Sequence, residues 1–272
     1  MRSQHQPPRA AHGPASRVRR TWAPGAFLAL VLVYSWSLEF VAVLLGGGWT
    51  RGPVLGLFVT ATIGPALIAS LLVLAGWADI DLRTFWHRAV DVRSITLLWY
   101  LVVLTMATAP MLAGRLVTVG LTAGWTVSAL APGFLVVGVL AGLAEEPGWR
   151  GYAQHGLQRR VPVAAAGLLI GVIWALWHVP LAFVEGTYQQ QLGFGTAAFW
   201  LYLLAILAQS VIYAWIYRAT GSVFATVLFH AAVNVAGEVV SVDAAAGYEL
   251  AFWTLLAVSL VALDRRMRCP FR

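Results

Sequence analysis

The sequence predicts an all-α fold, a polytopic bundle of membrane-spanning helices. Three observations point there. The chain of 272 residues is 60% hydrophobic and 11% charged, with a mean hydropathy of +0.77. That leaves too few polar side chains to clothe a soluble surface. Several apolar runs reach the roughly 20 residues that cross a bilayer as a helix. The runs are continuous rather than alternating, which argues against an outer-membrane barrel.

Taken in order, residues 1–25 are rich in Pro, Arg, His and Ser and carry no acid. They read as a disordered cytoplasmic tail. The first apolar run, 26–45, is too long for a signal-peptide core and reads as a first span. Further runs follow at 53–77, 95–112, 132–154, 162–184, 196–217, 220–237 and 248–263, making about eight spans in one transmembrane domain over 26–264. Between the second and third, "DIDLRTFWHRAVDVRS" (79–94) spaces Leu82, Phe85, Trp86 and Val90 among charges, as a short amphipathic helix lying in the membrane interface would. Residues 265–272 form a short basic tail.

The loop charges test this count. All 18 basic residues are arginine. With eight spans and the N-terminus inside, every arginine except Arg51 and Arg115 falls on the inner side. That bias is the positive-inside pattern, so an N-in, C-in orientation is expected in a cell (inner or plasma) membrane. The net charge of +7 therefore does not imply a nucleic-acid partner. Cys269 is the single cysteine, so no intramolecular disulfide or cysteine-based zinc site can form. No internal repeat of the transporter kind is evident.

Charged side chains at membrane depth cost roughly 2.5–3.5 kcal/mol each on insertion scales and are functional candidates by default. Here they are Glu39, Glu145, Glu146, Arg150, His178 and His230, with Asn234 as an uncharged companion. Glu146 and Arg150 stand four apart, acid first, the favourable order for a helical ion pair. Pro147 removes a helical hydrogen bond between them, and Pro147-Gly148 predicts a kink or local break. Glu145 has Trp149, not arginine, at i+4, which leaves it the unpaired acid. Runs four and five form a hairpin turning near Arg159–Pro162, so Glu145 and His178 should lie at similar depth on neighbouring helices. His230 and Asn234 share one helix face, one turn apart. His230 lies about 15 Å into its helix at 1.5 Å per residue, so the four polar side chains can converge. Glu39 has no matching partner and reads as structural or cavity-facing.

Glu145-Glu146-x-x-x-Arg150, Trp174-x-x-x-His178 and His230-x-x-x-Asn234 in this order resemble the CPBP family of intramembrane proteases, which includes the Rce1-type CAAX proteases and the bacterial Abi proteins. The resemblance covers about 130–240. Trp174 stands where the family pattern has Phe. The resemblance implies an endopeptidase that cuts a membrane-anchored peptide or protein within the lipid bilayer. By motif position, Glu145 would activate water with help from His178, and His230 and Asn234 would stabilise the oxyanion. Arg150 would position Glu146 or a substrate carboxylate, and Trp174 would support. Cofactor use has two versions. With a single Zn2+, Glu145, His178 and His230 would be its ligands and Glu146 the base. With no metal, Glu145 is the base; no HExxH is present and the candidate ligands lie far apart in the chain, so the sequence leaves both versions open. The competing classes are a non-catalytic scaffold or immunity protein of the same fold, whose sign would be a missing motif residue, and a proton-coupled transporter.

Overall fold

The computed structural model describes residues 14–120, 132–240 and 245–271, and no strand occurs among them. Every apolar run is helical. The order is α1 (Pro14–Leu45), α2 (Gly52–Thr62), α3 (Gly64–Leu74), α4 (Leu82–Val90), α5 (Leu97–Val119), α6 (Pro132–Glu146), a π-helical segment (Pro147–Gln154), α7 (His155–Leu157), α8 (Val163–Trp177), α9 (Tyr188–Leu192), α10 (Ala197–Thr220), α11 (Val223–Val239) and α12 (Ala246–Leu263).

Two boundaries differ from expectation. Helix α1 begins at Pro14, well inside the stretch expected to be disordered, and residues 1–13 lie outside the described residues. Proline suits the first helical turn, and the Arg- and Ala-rich sequence after it favours helix. The span count also divides. Among the described residues five helices are long and apolar enough to cross a membrane, and α2 with α3, bent by 51°, make a sixth. The break falls at Ile63 before Gly64-Pro65, where the proline has no N–H to offer the preceding turn. The other two expected spans are α6 with its π-helical continuation, and α11, which has 17 residues. These two irregular or short elements carry most of the polar side chains.

The chain is apolar outside as well as inside. Leu44, Leu97, Leu98, Val258 and Leu263 are more than half exposed, as suits helices facing lipid. Without a hydrophobic force between helices, close packing must come from small residues. Helix α8 supplies Gly167 and Gly171 one turn apart, and α10 lays Ser210 and Ala214 on them. A Cβ at Gly167 would come within 2.7 Å of Ala214 Cβ, and one at Gly171 within 2.9 Å of Ser210 Cβ. The Ser210 hydroxyl donates across the seam to the Gly167 carbonyl at 2.7 Å.

Helix α4 is the expected short amphipathic helix. Asp81 caps it by accepting from Thr84 N–H at 2.9 Å, Phe85 and Ala89 are buried, and Arg83 and His87 are exposed. Beyond α12 the tail folds under the bundle: Val163 N–H donates to the Cys269 carbonyl, and Phe271 N–H to the Gln158 carbonyl.

Candidate active site

The stretch from Glu145 to Gln154 is the centre of the molecule. Pro147 has no N–H, and the chain answers with a π-helical turn in place of an outright break. All eight residues of that turn are buried. Gly148 makes the arrangement fit. A Cβ there would lie 2.4 Å from the Pro65 carbonyl oxygen, so only glycine lets the turn press against α3. On the other side Phe27 of α1 packs edge-on against Trp149, ring centroids 5.5 Å apart.

Glu146 and Arg150 form the expected pair, Nε to Oε2 at 3.1 Å, both wholly buried. The wider π turn does not separate them. Arg150 also donates to the Ser210 hydroxyl at 3.0 Å, and its guanidinium carbon sits 4.6 Å from the Tyr213 ring centroid. A buried cation is tolerable only when so surrounded. The second oxygen of Glu146 lies 2.9 Å from His230 Nδ1. Glu146 thus orients His230 and is itself held by Arg150.

Glu145 points elsewhere, as its helical offset requires. Its Oε2 accepts from the Trp174 indole N–H at 2.8 Å, and its Oε1 lies 3.9 Å from His230 Nε2. The Trp149 indole nitrogen is also near Glu145 but short of hydrogen-bond geometry. Trp174 proves more than a supporting aromatic. Its ring N–H holds Glu145, and its carbonyl lies 2.8 Å from His178 Nδ1. It also packs on Tyr213, His178 and His230, with centroids 5.6, 5.7 and 5.8 Å away.

His178 is not mid-helix. It caps α8, and the 3-10 turn Val179–Phe183 follows because Pro180 ends the helix. With Nδ1 turned to the Trp174 carbonyl, Nδ1 carries the proton and Nε2 is left for other partners. His178 and His230 lie within electrostatic range of each other. No hydrogen bond joins Glu145 directly to His178 among the described residues. Asn234, one turn beyond His230, is half-buried against α6 at Gly138.

The structure therefore gathers Glu145, Glu146, Arg150, Trp174, His178 and His230 into one buried cluster, with Asn234 at its edge. It does not gather a metal cage: among the described residues no three His, Cys, Asp or Glu side chains are placed to hold an ion together. Of the Glu145, His178 and His230 set, one nitrogen of each histidine and one oxygen of Glu145 are already engaged with Glu146 or Trp174.

Three participants were not singled out beforehand. Ser210 and Tyr213 anchor Arg150 from α10. The signal for Ser210 was there, a small polar residue spaced four from Ala214 in an apolar helix, matching Gly167-x-x-x-Gly171. Tyr202 packs edge-on to His178 at 5.7 Å and accepts from Gln189 Nε2 at 2.8 Å. Glu39, expected to be structural or cavity-facing, lies within electrostatic reach of Glu145 and is 2% exposed.

The same stretch is where comparisons place a likeness. Residues 126–236 match the family model described as type II CAAX prenyl endopeptidase, Rce1-like. The chain is also 25% identical over 258 residues to a protein of Methanococcus maripaludis named CAAX prenyl protease 2, covering 90% of this chain and 89% of that one.

Proposed function

Because the chain belongs to the CPBP/CAAX protease family and is a multi-pass membrane protease, we propose that Glu145 and His178 activate the water that it uses. The observation that carries this is the unequal treatment of the two glutamates. Glu146 is consumed by Arg150 and His230. Glu145 keeps Oε1 free of any arginine while Trp174 steadies Oε2.

Glu145 takes a proton from water as its oxygen attacks the scissile carbonyl carbon. His178 holds the same water through Nε2, its tautomer set by the Trp174 carbonyl. The developing oxyanion is met by His230 and Asn234. His230 gives Nδ1–H to Glu146, so it donates from Nε2 as the imidazolium, and the flanking carboxylates supply the opposite charge. The carbon–nitrogen bond then breaks, and the nitrogen leaves with the proton Glu145 removed. Arg150 holds Glu146 in place.

The substrate is a protein or peptide with an apolar anchor, admitted sideways between helices and cut in the cytoplasmic half of the cell membrane, with both chain ends inside. The name of the relative points to prenylated tails. The scaffold reading would expect a missing motif residue, and none is missing. The test is cleavage of a panel of lipid-anchored, internally quenched peptides by the purified protein in nanodiscs, with Glu145→Ala and His178→Ala alongside, each with and without a zinc chelator. Loss in both variants with survival of the chelator supports the proposal. Retention by both variants sinks the site, and loss on chelation restored by zinc replaces the metal-free mechanism.

A further inference from the structure

Helix α1 contributes one acid that the mechanism above leaves idle. Phe27, Val31, Ser35, Glu39 and Ala42 recur at intervals of four and three, so they share one face, and all five are buried. The partners of that face trace a line past the site. Phe27 meets Trp149 of the π-helical turn, 5.5 Å between centroids. Ser35 donates to the Ala61 carbonyl at 2.9 Å, at the bend between α2 and α3. Ala42 packs in a small cluster with Val54 and Val184, the latter just past the turn that follows His178. Glu39 therefore stands between the α2–α3 bend and the His178 turn, facing inward, within electrostatic reach of Glu145. Its Oε2 is buried and has no hydrogen-bond partner among the described residues.

An acid in that position is costly to the fold. Burying a carboxyl without a partner destabilises, and an apolar residue of similar size would serve α1 better. Residues kept at a loss to stability are those a site needs. Resting on the proposed protease site, we propose that Glu39 is a second substrate-binding carboxyl, which accepts a hydrogen bond from the scissile-bond nitrogen and holds it as it becomes an amine. Glu145 works on the water and the carbonyl side of the bond, and Glu39 on the nitrogen side. The proton balance is unchanged: water supplies its hydroxyl to the carbonyl carbon and its proton, through Glu145, to the departing nitrogen. Glu39 only accepts a hydrogen bond.

The test compares two substrates and two variants. The first substrate is a lipid-anchored peptide that the wild-type protein cleaves. The second is the same peptide with an ester oxygen in place of the scissile N–H. The variants are Glu39→Leu and Glu39→Gln, with thermal midpoints measured in the same nanodiscs. Glu39→Leu is expected to melt at or above wild type and to lose roughly tenfold in kcat on the amide, the scale of one hydrogen bond. On the ester, which has no N–H to bind, it should stay within about twofold. Glu39→Gln, which keeps an acceptor oxygen, should recover most of the amide rate. Equal losses on amide and ester, or a Glu39→Leu protein that melts below wild type, would overturn the proposal. Glu145→Gln run in parallel separates the two readings: if it cleaves normally, the protease site itself is misplaced, whatever Glu39 does.

Discussion

Trp174 holds both proposed water-activating groups, and replacing it by phenylalanine isolates one of those holds. Trp174→Phe keeps an aromatic ring against Tyr213, His178 and His230. It keeps the backbone carbonyl that meets His178 Nδ1. It deletes the N–H that meets Glu145 Oε2 at 2.8 Å. A buried hydrogen bond to an ionised acceptor is worth about 1.5–3 kcal/mol. If that bond fixes Glu145 against the attacking water, kcat should fall by about 10- to 100-fold, since small misplacements of a base have effects of that size. KM should hold within about twofold, because the indole N–H faces the base and not the peptide. The smaller ring also removes some packing, so the melting midpoint should drop by a few degrees. The assay is steady-state cleavage of a lipid-anchored quenched peptide in nanodiscs, paired with a thermal melt of the same sample. A variant with wild-type kcat and a lowered melting point would refute the argument, because Trp174 would then be packing and nothing more. Phenylalanine is the usual residue at this motif position, so such a result would also say that the indole nitrogen is incidental here.

Other perturbations reach different parts of the fold. Gly148→Ala places a Cβ 2.4 Å from the Pro65 carbonyl oxygen, which backbone cannot yield, so the folded yield should collapse along with activity; a folded, active variant on size exclusion would contradict the packing argument. Arg150→Met strands buried Glu146 and removes the donor to the Ser210 oxygen, with an expected loss of about 3–5 kcal/mol. Pairing it with Glu146→Leu should restore much of the melting point but no activity, since His230 then has no acceptor at Nδ1. His155, just outside the spans, has its pKa lowered to about 4, by burial first and then by Arg88 and Arg159. The unfolded chain therefore binds the proton before the folded one does, and stability should fall as pH drops from about 6.5 toward 4. Melts of His155→Gln across that window should be flatter than those of wild type.

The apolar composition and run lengths announce an all-helical membrane protein, and each run is helical, although 53–77 bends at Ile63 and 132–154 ends in a π turn. Glu146 and Arg150 could be paired on paper because i, i+4 geometry is local, and the π turn leaves that pairing intact. Pro147-Gly148 marked the irregular turn in the same way. The hairpin near Pro162 brought Glu145 and the Trp174–His178 turn together, since antiparallel neighbours of known length leave little freedom.

What local rules could not supply was which atom meets which. Nothing in Trp174-x-x-x-His178 says that the tryptophan, and not the histidine, touches Glu145. That follows from the packing, which brings the Trp174 indole N–H to Glu145 Oε2 while His178 Nδ1 turns back to the Trp174 carbonyl. The possible zinc set was legible as residue types, but among the described residues no three His, Cys, Asp or Glu side chains are placed to hold an ion together. Glu39 fell in no motif, because the α2–α3 bend and the turn after His178 that flank it come from other parts of the chain. The sequence by itself determined the class, the runs and the inventory of buried polar groups, since those depend on hydropathy and helical period. The tertiary structure decided the long-range contacts, the Trp174 indole N–H on Glu145 and His230 Nδ1 on Glu146, because only helix packing brings residues so far apart in the chain together.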